Sequence, residues 1–442
     1  MPNILALLSC LTLELNSTSL KRLGCIVQAL LAMSGRVSML GISRWAGKGG
    51  SYRTIQRFFY SPLNWPSLLW VFFHSHCFNT QHSYAIAGDE VVTSKSGKHT
   101  YGVDWFFSNL SERSIRGVAF FALSLVSLEQ RQSYPLGIEQ ILRPSPEAQK
   151  RTPAQSQGQG KRKRGRPKGA KNRDKTQVSL SPELVRIRGM LEALLERIGG
   201  RIPLRYVLLD GKFGHNNALQ MVRQLHLHLV SKLRHDSALF LPYTGDDARR
   251  KYGDKLQPHH LPAHFLRQTC TDDGNCRTDI YQLQALHKEF AQTLNIVILL
   301  KTNLKTQRQA HVILFSSDLT LPFERLIDLY ALRFQIEFNF RDAKQFWGLE
   351  DFMNISQTAV TNAVNLAFFM VNLSHCLLQD LRRHKHPLFS ILDLKALYRA
   401  YKYVDEVIKL LPQKPEPIFL SRILNHVANL GAIHPQRDSE FI

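Results

Sequence analysis

Apolar positions recur with two different periods along the chain, and the change of period separates helical from strand-rich stretches. Residues 1–80 favour helices, because behind a capping Ser19 the apolar positions recur every three or four residues as far as Met33. Residues 84–130 contain three runs rich in β-branched and aromatic residues, with polar turns between them. This second pattern predicts an antiparallel meander of three strands.

Helical and strand patterns alternate in the middle of the chain. A helix over 182–198 precedes the apolar run RYVLLD at 205–210, and a helix over 217–225 precedes the run LHLVSKL at 227–233. Such alternation predicts an α/β core. Residues 235–318 are first polar and then strand-like, so we interpret them as a β-rich insertion between two parts of that core.

The last third of the chain is predicted to be mainly helical. The pattern indicates a long helix over 321–346 and a second, largely buried helix over 357–383. We therefore divide the chain into a helical N-terminal region (1–80), a first part of the core (81–143), a linker (144–180), a second part of the core (181–234), the β-rich insertion (235–318), the last core helices (319–385) and a helical C-terminal tail (386–442).

The chain carries a formal net charge of +22, which points to a polyanionic partner such as nucleic acid. Within the linker, Lys161–Lys175 holds nine Lys or Arg residues and one Asp, and we expect this segment to be disordered because it has little to bury. It contributes +8 of the total, so most of the excess charge lies in the folded parts.

Membrane and secreted classes are disfavoured. The most apolar stretches, Asn3–Leu15 and Asn365–Leu378, are shorter than the roughly 20 residues that a membrane span needs. The first basic residue is Lys21, so the start of the chain lacks the basic region of a signal peptide. The six cysteines form no Cys-x-x-Cys pair, which is typical of reduced thiols. We expect a cytoplasmic protein without a membrane partner.

Basic and aromatic residues are mixed in the N-terminal region. Residues 36–62 carry Arg44, Lys48, Arg53 and Arg57 among aromatic side chains and glycines. Short basic helices of this kind are typical of DNA-binding modules, so we predict a helical DNA-binding region. A helical packing or dimerisation region is the alternative.

The segment YALRFQIEFNFRDAK, residues 330–344, contains the most informative pattern of polar and charged side chains. On one continuous helix, Tyr330, Arg333, Glu337 and Lys344 fall within a stripe about 60° wide. A carboxylate between two cations suits a hard metal ion and a phosphate together. A solvated polar face of an ordinary helix is the alternative.

Tyr-x2-Arg-x3-Glu-x6-Lys resembles the YREK signature of DDE transposases from bacterial insertion sequences, and all four positions match. The segment AIAGDEVVTSKSG, with Asp89 followed by Lys95, resembles the first-aspartate segment of that family. The segment YVLLDGKFGH, with Asp210, resembles the second. The resemblance covers roughly residues 20–380 and implies a ribonuclease H-like catalytic core that is interrupted by the β-rich insertion.

The resemblance also implies the chemistry. Asp89, Asp210 and Glu337 are expected to be the catalytic metal ligands, with Asp89 shared between two Mg²⁺ ions, for which Mn²⁺ can substitute. Two such ions activate the attacking oxygen and stabilise the leaving oxygen in phosphodiester cleavage. The residues of the matched segments that we expect to contact DNA phosphates are Tyr330, Arg333, Lys344 and Lys95.

The same resemblance implies double-stranded DNA as substrate, a homodimer that joins two transposon ends, and cut-and-paste transposition by cleavage followed by strand transfer. A nuclease that does not join DNA and a domesticated DNA-binding protein are the two alternatives. In the linker, RGRP resembles the core of an AT-hook, with Arg164 and Arg166 in a narrow minor groove. A plain phosphate clamp is the alternative there.

Several other residues compete for these roles. The alternatives for the first acid are Glu90 and Asp104, and those for the second are Asp236, Asp246 and Asp247. A zinc site is disfavoured because no zinc motif matches the spacing of His259, His260, His264, Cys270 and Cys276. We interpret His215 as a solvated loop residue, and Trp347 as a core residue rather than a stacking partner for a base.

Deleting Lys161–Lys175 should weaken DNA binding and flatten its dependence on salt, because each lost phosphate contact removes about 0.9 from the log–log salt slope. Titrating a fluorescent duplex at several salt concentrations measures this slope. An unchanged slope would contradict a DNA-contacting linker.

Overall fold

The computed structural model describes residues 3–108, 111–143, 174–247, 249–272, 275–384, 387–413 and 415–435. In these ranges a large mixed sheet and the helices around it share a continuous hydrophobic core. The chain is thus a mixed α/β protein, as the pattern predicts. Arg164 and Arg166, and with them the AT-hook or phosphate clamp, lie outside the described residues.

The described strands form a 12-stranded sheet. The strands are β1 (Tyr84–Ser94), β2 (Asp104–Ser108), β3 (Arg113–Ser127), β4 (Gln132–Ile141), β5 (Tyr206–Leu208), β6 (His228–Leu233), β7 (Leu239–Pro242), β8 (Tyr252–Lys255), β9 (Leu266–Asp272), β10 (Cys276–His287), β11 (Leu294–Asn303) and β12 (Gln309–Ser316). Their order is β2-β3-β1-β5-β6-β12-β11-β10-β7-β8, with β4 also paired to β3 and β9 to β10.

The first three strands are confirmed, but their pairing differs from a simple meander. Strand β3 pairs antiparallel with β1, and its first residues pair with the short β2. The rest of β3 pairs with β4, a strand that the sequence pattern did not predict. Thus β3, which is almost fully buried after its first four residues, is the strand that organises this half of the sheet.

Strands β1, β5 and β6 run parallel and place the two aspartate segments side by side. Ile86 is paired with Val207 and Ala87 with Leu208. Asp89 and Asp210 each lie two residues beyond the second of these pairs. Because parallel strands keep a constant register, the two aspartates lie at the same level along their neighbouring strands.

The β-rich insertion extends the sheet. Strand β12 pairs antiparallel with β6, and β11 and β10 follow it outward. The strands predicted in the second half of 235–318 are confirmed, and its polar first half contributes the short β7 and β8. The hydrogen bonds between β6 and β12 therefore make the insertion continuous with the core sheet.

Helices cover both ends of the chain and the faces of the sheet. They are α1 (Ile4–Leu8), α2 (Ser17–Ala32), α3 (Met39–Ala46), α4 (Tyr52–Phe59), α5 (Trp65–His76), α6 (Pro182–Ile198), α7 (Asn216–Gln224), α8 (Phe323–Leu332), α9 (Gln335–Phe346), α10 (Gln357–His384), α11 (Ile391–Leu410) and α12 (Pro417–Asn429).

The helix predicted for 321–346 is divided into α8 and α9. Between them, Phe334 donates its N–H to Ala331 (3.1 Å), Ile336 to Arg333 (3.2 Å) and Glu337 to Phe334 (3.0 Å). These bonds span three residues instead of four, so the chain is wound more tightly at the joint than in an α-helix. The expectation of one continuous helix is therefore wrong at Arg333 and Phe334.

Two smaller expectations are also corrected. Helix α2 is capped by Asn16, whose side chain accepts the N–H of Ser19 (2.8 Å), so Ser19 lies inside the first turn. Part of the predicted disordered linker is ordered: Asn216 donates to the carbonyl of Lys175 (2.8 Å), and Asn217 to that of Ser179 (3.2 Å). The last linker residues, 174–180, thus contact the start of α7 before α6 begins.

Helix α10 is the central helix of the fold. By length and composition Gln357–Arg383 is apolar enough to cross a membrane, yet 89% of its most apolar window is buried inside the protein. Its Asn362 accepts a hydrogen bond from Trp65 Nε1 (2.7 Å) and donates to the carbonyls of Phe59 (2.7 Å) and Ser61 (2.7 Å). This buried amide fastens the N-terminal helices to the core.

Replacing Asn362 by Ala should lower the free energy of unfolding by roughly 2–4 kcal/mol, because it leaves a buried indole N–H and two carbonyls without partners. Asn365→Ala is the matched control on the same helix, since the Asn365 side chain donates to Thr361 within α10 (3.0 Å). Its loss should be near 1 kcal/mol, about that of one hydrogen bond. Urea denaturation measures both, and equal losses would contradict a bridging role.

Candidate active site

Asp89 lies in the middle of β1, where the strand passes the end of β5. The preceding Gly88 is enclosed: an added Cβ would lie 2.9 Å from both Leu209 and Phe121 side chains, so only glycine fits without a shift. One Asp89 oxygen accepts the N–H of Glu90 (2.8 Å), and the other accepts a bond from Arg333 Nη1 (2.7 Å). The carboxylate is therefore fixed from two sides.

Asp210 follows β5 and begins a short 3-10 turn, Gly211–Phe213. Its side chain accepts the N–H of Lys212 (3.1 Å), and its carbonyl accepts the hydroxyl of Ser231 (2.7 Å). Gly214 closes the turn against β6, where an added Cβ would lie 2.2 Å from the Lys232 carbonyl oxygen. The close approach to β6 fixes where the Asp210 side chain leaves the sheet.

Glu337 is in the first turn of α9, three residues past the joint with α8. Arg333, at the joint, spans two acids: its Nη1 contacts Asp89 (2.7 Å) and its Nη2 contacts Glu337 Oε1 (3.2 Å). The Arg333 guanidinium also lies 5.9 Å from the ring centroid of Tyr330. Three of the four signature residues thus meet at the break between the helices.

The three acids line an open cleft of about 880 Å³. Other charged residues and one exposed aromatic side chain share its walls: Glu90, Lys212, Arg341, Lys344, Glu350 and Phe107. Phe107 is 60% exposed at the rim. The cleft is therefore polar and accessible from solvent.

The acids influence one another. The pKa of Asp89 is raised to about 6, mainly by burial. The positive charge of Arg333 opposes the shift, and the negative charges of Asp210 and Glu337 add to it. A half-buried carboxyl with two acidic neighbours and one guanidinium is short of positive charge. A cation brought into the cleft would relieve that deficit.

The donor set fits a divalent cation, although the acids are not yet arranged around one. Among the described residues, no three acids, histidines or cysteines are close enough together to hold a metal ion. Arg333 contacts oxygens on Asp89 and Glu337 that such an ion would use. Carboxylate oxygens are the ligands that Mg²⁺ prefers, so these three acids are the candidate ligands once the guanidinium moves aside.

Residues 6–281 match the family model of the DDE superfamily endonucleases. The chain belongs to this family. The match includes Asp89 and Asp210, whereas Glu337 lies beyond its end, so the third acid depends on the geometry described above. No curated protein matches the chain significantly. Endonucleases of this superfamily generally use divalent metal ions and act on DNA.

Two lysines of this endonuclease that were expected to contact DNA, Lys344 and Lys95, differ in their surroundings. Lys344 lies at the cleft, where its ammonium donates to the carbonyl of Val92 (2.9 Å) and pairs with Glu350 (3.4 Å). Lys95 is buried and donates to the carbonyls of Glu350 (2.8 Å) and Phe352 (3.1 Å). Because those carbonyls satisfy its ammonium, Lys95 holds the loop after α9, and we correct its expected role as a phosphate contact.

Except for Glu90, the competing acids do not line the cleft. Glu90 does line the cleft, but its carboxylate is paired with Lys212 (3.1 Å). Asp104 begins β2 and accepts the N–H of its neighbour Trp105 (2.7 Å). The alternatives for the second acid lie in the insertion, in the loops that connect β6, β7 and β8: Asp236, Asp246 and Asp247. Asp89 and Asp210 are therefore the pair that the parallel strands bring together.

The remaining polar candidates have structural partners. His215 caps α7, its Nδ1 accepting the N–H of Ala218 (3.4 Å). His259 contacts Gln309 (3.1 Å) and packs against His311. Trp347 is 2% exposed, so the prediction of a core residue is confirmed.

The cleft residues that sequence reasoning missed include Phe107, Lys212, Arg341 and Glu350. Lys212 and Arg341 lie two and four residues from acids of the triad, so proximity in sequence was an available signal. Phe107 lies on β2 and Glu350 in the loop after α9, and no motif in the sequence marks either of them as a cleft residue.

Replacing Arg333 by Gln should lower the free energy of unfolding in EDTA by about 1–3 kcal/mol, since it leaves Asp89 and Glu337 facing each other without the shared cation. Arg325→Gln is the matched control, because Arg325 makes an exposed pair with Asp328 (3.7 Å) on α8. Its effect should stay within about 0.5 kcal/mol. Denaturation curves that coincide for the two variants would argue against a bridging guanidinium.

Proposed function

We propose that this endonuclease is a DNA transposase of the insertion-sequence type, with a ribonuclease H-like catalytic core and the YREK signature. The single observation that supports it most is the meeting of Asp89 and Asp210 across two parallel strands, with Glu337 joined to Asp89 by Arg333. The strand order β4-β3-β1-β5-β6, antiparallel on one side of β1 and parallel on the other, supports the proposed core.

The reaction proposed is cleavage of the phosphodiester at the transposon ends, followed by attack of the freed 3′-hydroxyl on target DNA. Two bound Mg²⁺ ions, or Mn²⁺ in their place, would activate the attacking oxygen and stabilise the leaving one. Asp89 would contribute to both ions, and Asp210 and Glu337 to one each. Because Asp89 is fixed by the Glu90 N–H, its carboxylate is held in position before DNA enters.

In this proposal, the basic residues of α9 and of the joint between α8 and α9 bind the DNA. Arg333 would release the acids when metal binds and turn its guanidinium to a phosphate oxygen, for which its planar fork is suited. Lys344 would contact a neighbouring phosphate, since its ammonium is at the cleft and partly exposed. Tyr330 would support Arg333 through the ring contact between them.

The N-terminal region would bind the transposon end. Its four predicted basic residues, Arg44, Lys48, Arg53 and Arg57, are all exposed on or beside α3 and α4. A homodimer that pairs two such ends would complete the synaptic complex. We place the protein in the cytoplasm as the product of a mobile element.

Replacing Glu337 by Gln should reduce cleavage more than about 100-fold, because loss of a metal ligand exceeds the loss from its outer-shell partners. Binding of the same DNA should change little. The substrate is a duplex that carries the inverted repeats flanking the gene, incubated with Mg²⁺ or Mn²⁺. Glu324→Gln, an exposed carboxylate on the adjoining α8, is the matched control and should cleave normally.

A pre-cut end with a free 3′-hydroxyl tests joining separately. Strand transfer into a plasmid supports a transposase, whereas cleavage without joining identifies a nuclease of the same family. A wild-type protein that binds the repeats but cleaves them with neither metal would leave only a DNA-binding function.

A further inference from the structure

Lys212 is a charged residue of the cleft for which the proposed chemistry has no role. It lies in the short turn after Asp210, and its side chain is 48% exposed. Its ammonium is shared by two carboxylates from different elements, Glu183 at the start of α6 (2.6 Å) and Glu90 on β1 (3.1 Å). A local ion pair needs one acid, so the second is unexplained by pairing alone.

Lys212 and Arg333 approach the cleft from opposite faces of strand β1. Successive residues of a strand point to opposite faces, so Asp89 and Glu90 project to different sides of β1. Arg333 meets Asp89 on one side, and Lys212 meets Glu90 on the other. Lys344 belongs to α9, on the Arg333 side. Lys212 therefore reaches the cleft from one face of β1, and Arg333 and Lys344 reach it from the other. We call these two sides the walls of the cleft.

The surroundings of Lys212 favour exchange of its partners. Two carboxylates around one ammonium leave a negative charge at the wall of a cleft that has to admit a polyanion. Glu90 and Glu183 are 31% and 34% exposed, and ion pairs at such partly exposed positions contribute only about 1 kcal/mol or less. A phosphate at this wall would take the ammonium at little cost.

We propose that Lys212 binds a backbone phosphate of the DNA strand on the wall opposite Lys344, and that Glu90 and Glu183 hold its ammonium until DNA enters. This inference rests on the proposed function and adds a DNA-binding residue to it. Cations on both walls would hold the strand across the acids, so that the phosphate to be cut is centred between them.

The first test is the binding of a fluorescent duplex of random sequence, with Ca²⁺ in place of Mg²⁺, at several salt concentrations. Lys212→Gln should weaken binding about threefold and reduce the log–log salt slope by about 0.9, the value for one phosphate contact. Lys212→Arg keeps the positive charge and should keep the wild-type slope. Arg188→Gln removes an equal charge from an exposed pair on α6 and is the control.

The second test replaces Glu183, one of the two acids that hold the ammonium of Lys212. If this ion pair were only structural, the replacement would not tighten DNA binding. Glu183→Gln should free Lys212 and tighten binding of the same duplex, opposite in sign to Lys212→Gln. Glu192→Gln, the exposed partner of Arg188, controls for the change in net charge. Thermal unfolding checks that each variant is folded.

The inference is overturned if Lys212→Gln and Arg188→Gln change the salt slope equally, or if Glu183→Gln weakens binding. It is also overturned if Lys212→Gln binds normally while the wild type cleaves transposon ends, and in that case the proposed function stands. If the wild type binds no DNA, the proposed function and the inference fail together.

Discussion

Three carboxylates can be kept together in a folded protein only if positive charge offsets their repulsion, and here that charge is Arg333. Its guanidinium contacts Asp89 and Glu337 at once, while the parallel pairing of β1 and β5 brings Asp210 to the same edge. The arrangement is thus held by a cation of the chain where catalysis would need metal cations. Burial is the main cause of the raised pKa of Asp89, the charge of Arg333 opposes it, and the nearby Asp210 and Glu337 add to it.

The position of Arg333 depends on the break between α8 and α9. A continuous helix would carry Arg333 and Glu337 on one straight face, whereas the tightened joint turns the chain where the two side chains meet β1. The packed helices on either side make this position stable, since Leu329, Leu332 and Ile336 are fully buried. The helix break, the guanidinium and the acid on β1 therefore form one structural unit.

The loop after α9 connects this unit with the N-terminal helices. Lys95 is satisfied by carbonyls of the loop, and Asp351 accepts the N–H of Val37 just before α3 (2.9 Å). Gly348 has a φ of +80° and lies against Val37, where no larger residue would fit. The proposed DNA-binding helices are therefore fixed directly to the end of the helix that carries Glu337 and Lys344.

The sequence by itself determined most of the elements and singled out the candidate acids. Most strands and helices follow from their apolar periods, because each buries a face whose spacing is local, and Asp89, Asp210 and Glu337 stand in motifs that can be read in order. Tertiary structure decided what local pattern cannot encode. The pairing of β1 with β3 and β5, the joining of the insertion to β6 and the contact of Arg333 with Asp89 depend on partners outside the local sequence. Tertiary structure also decided that Lys95 is buried and that Lys212 lies at the cleft. The physical reason is that the environment of a charged side chain is set by the residues that fold around it.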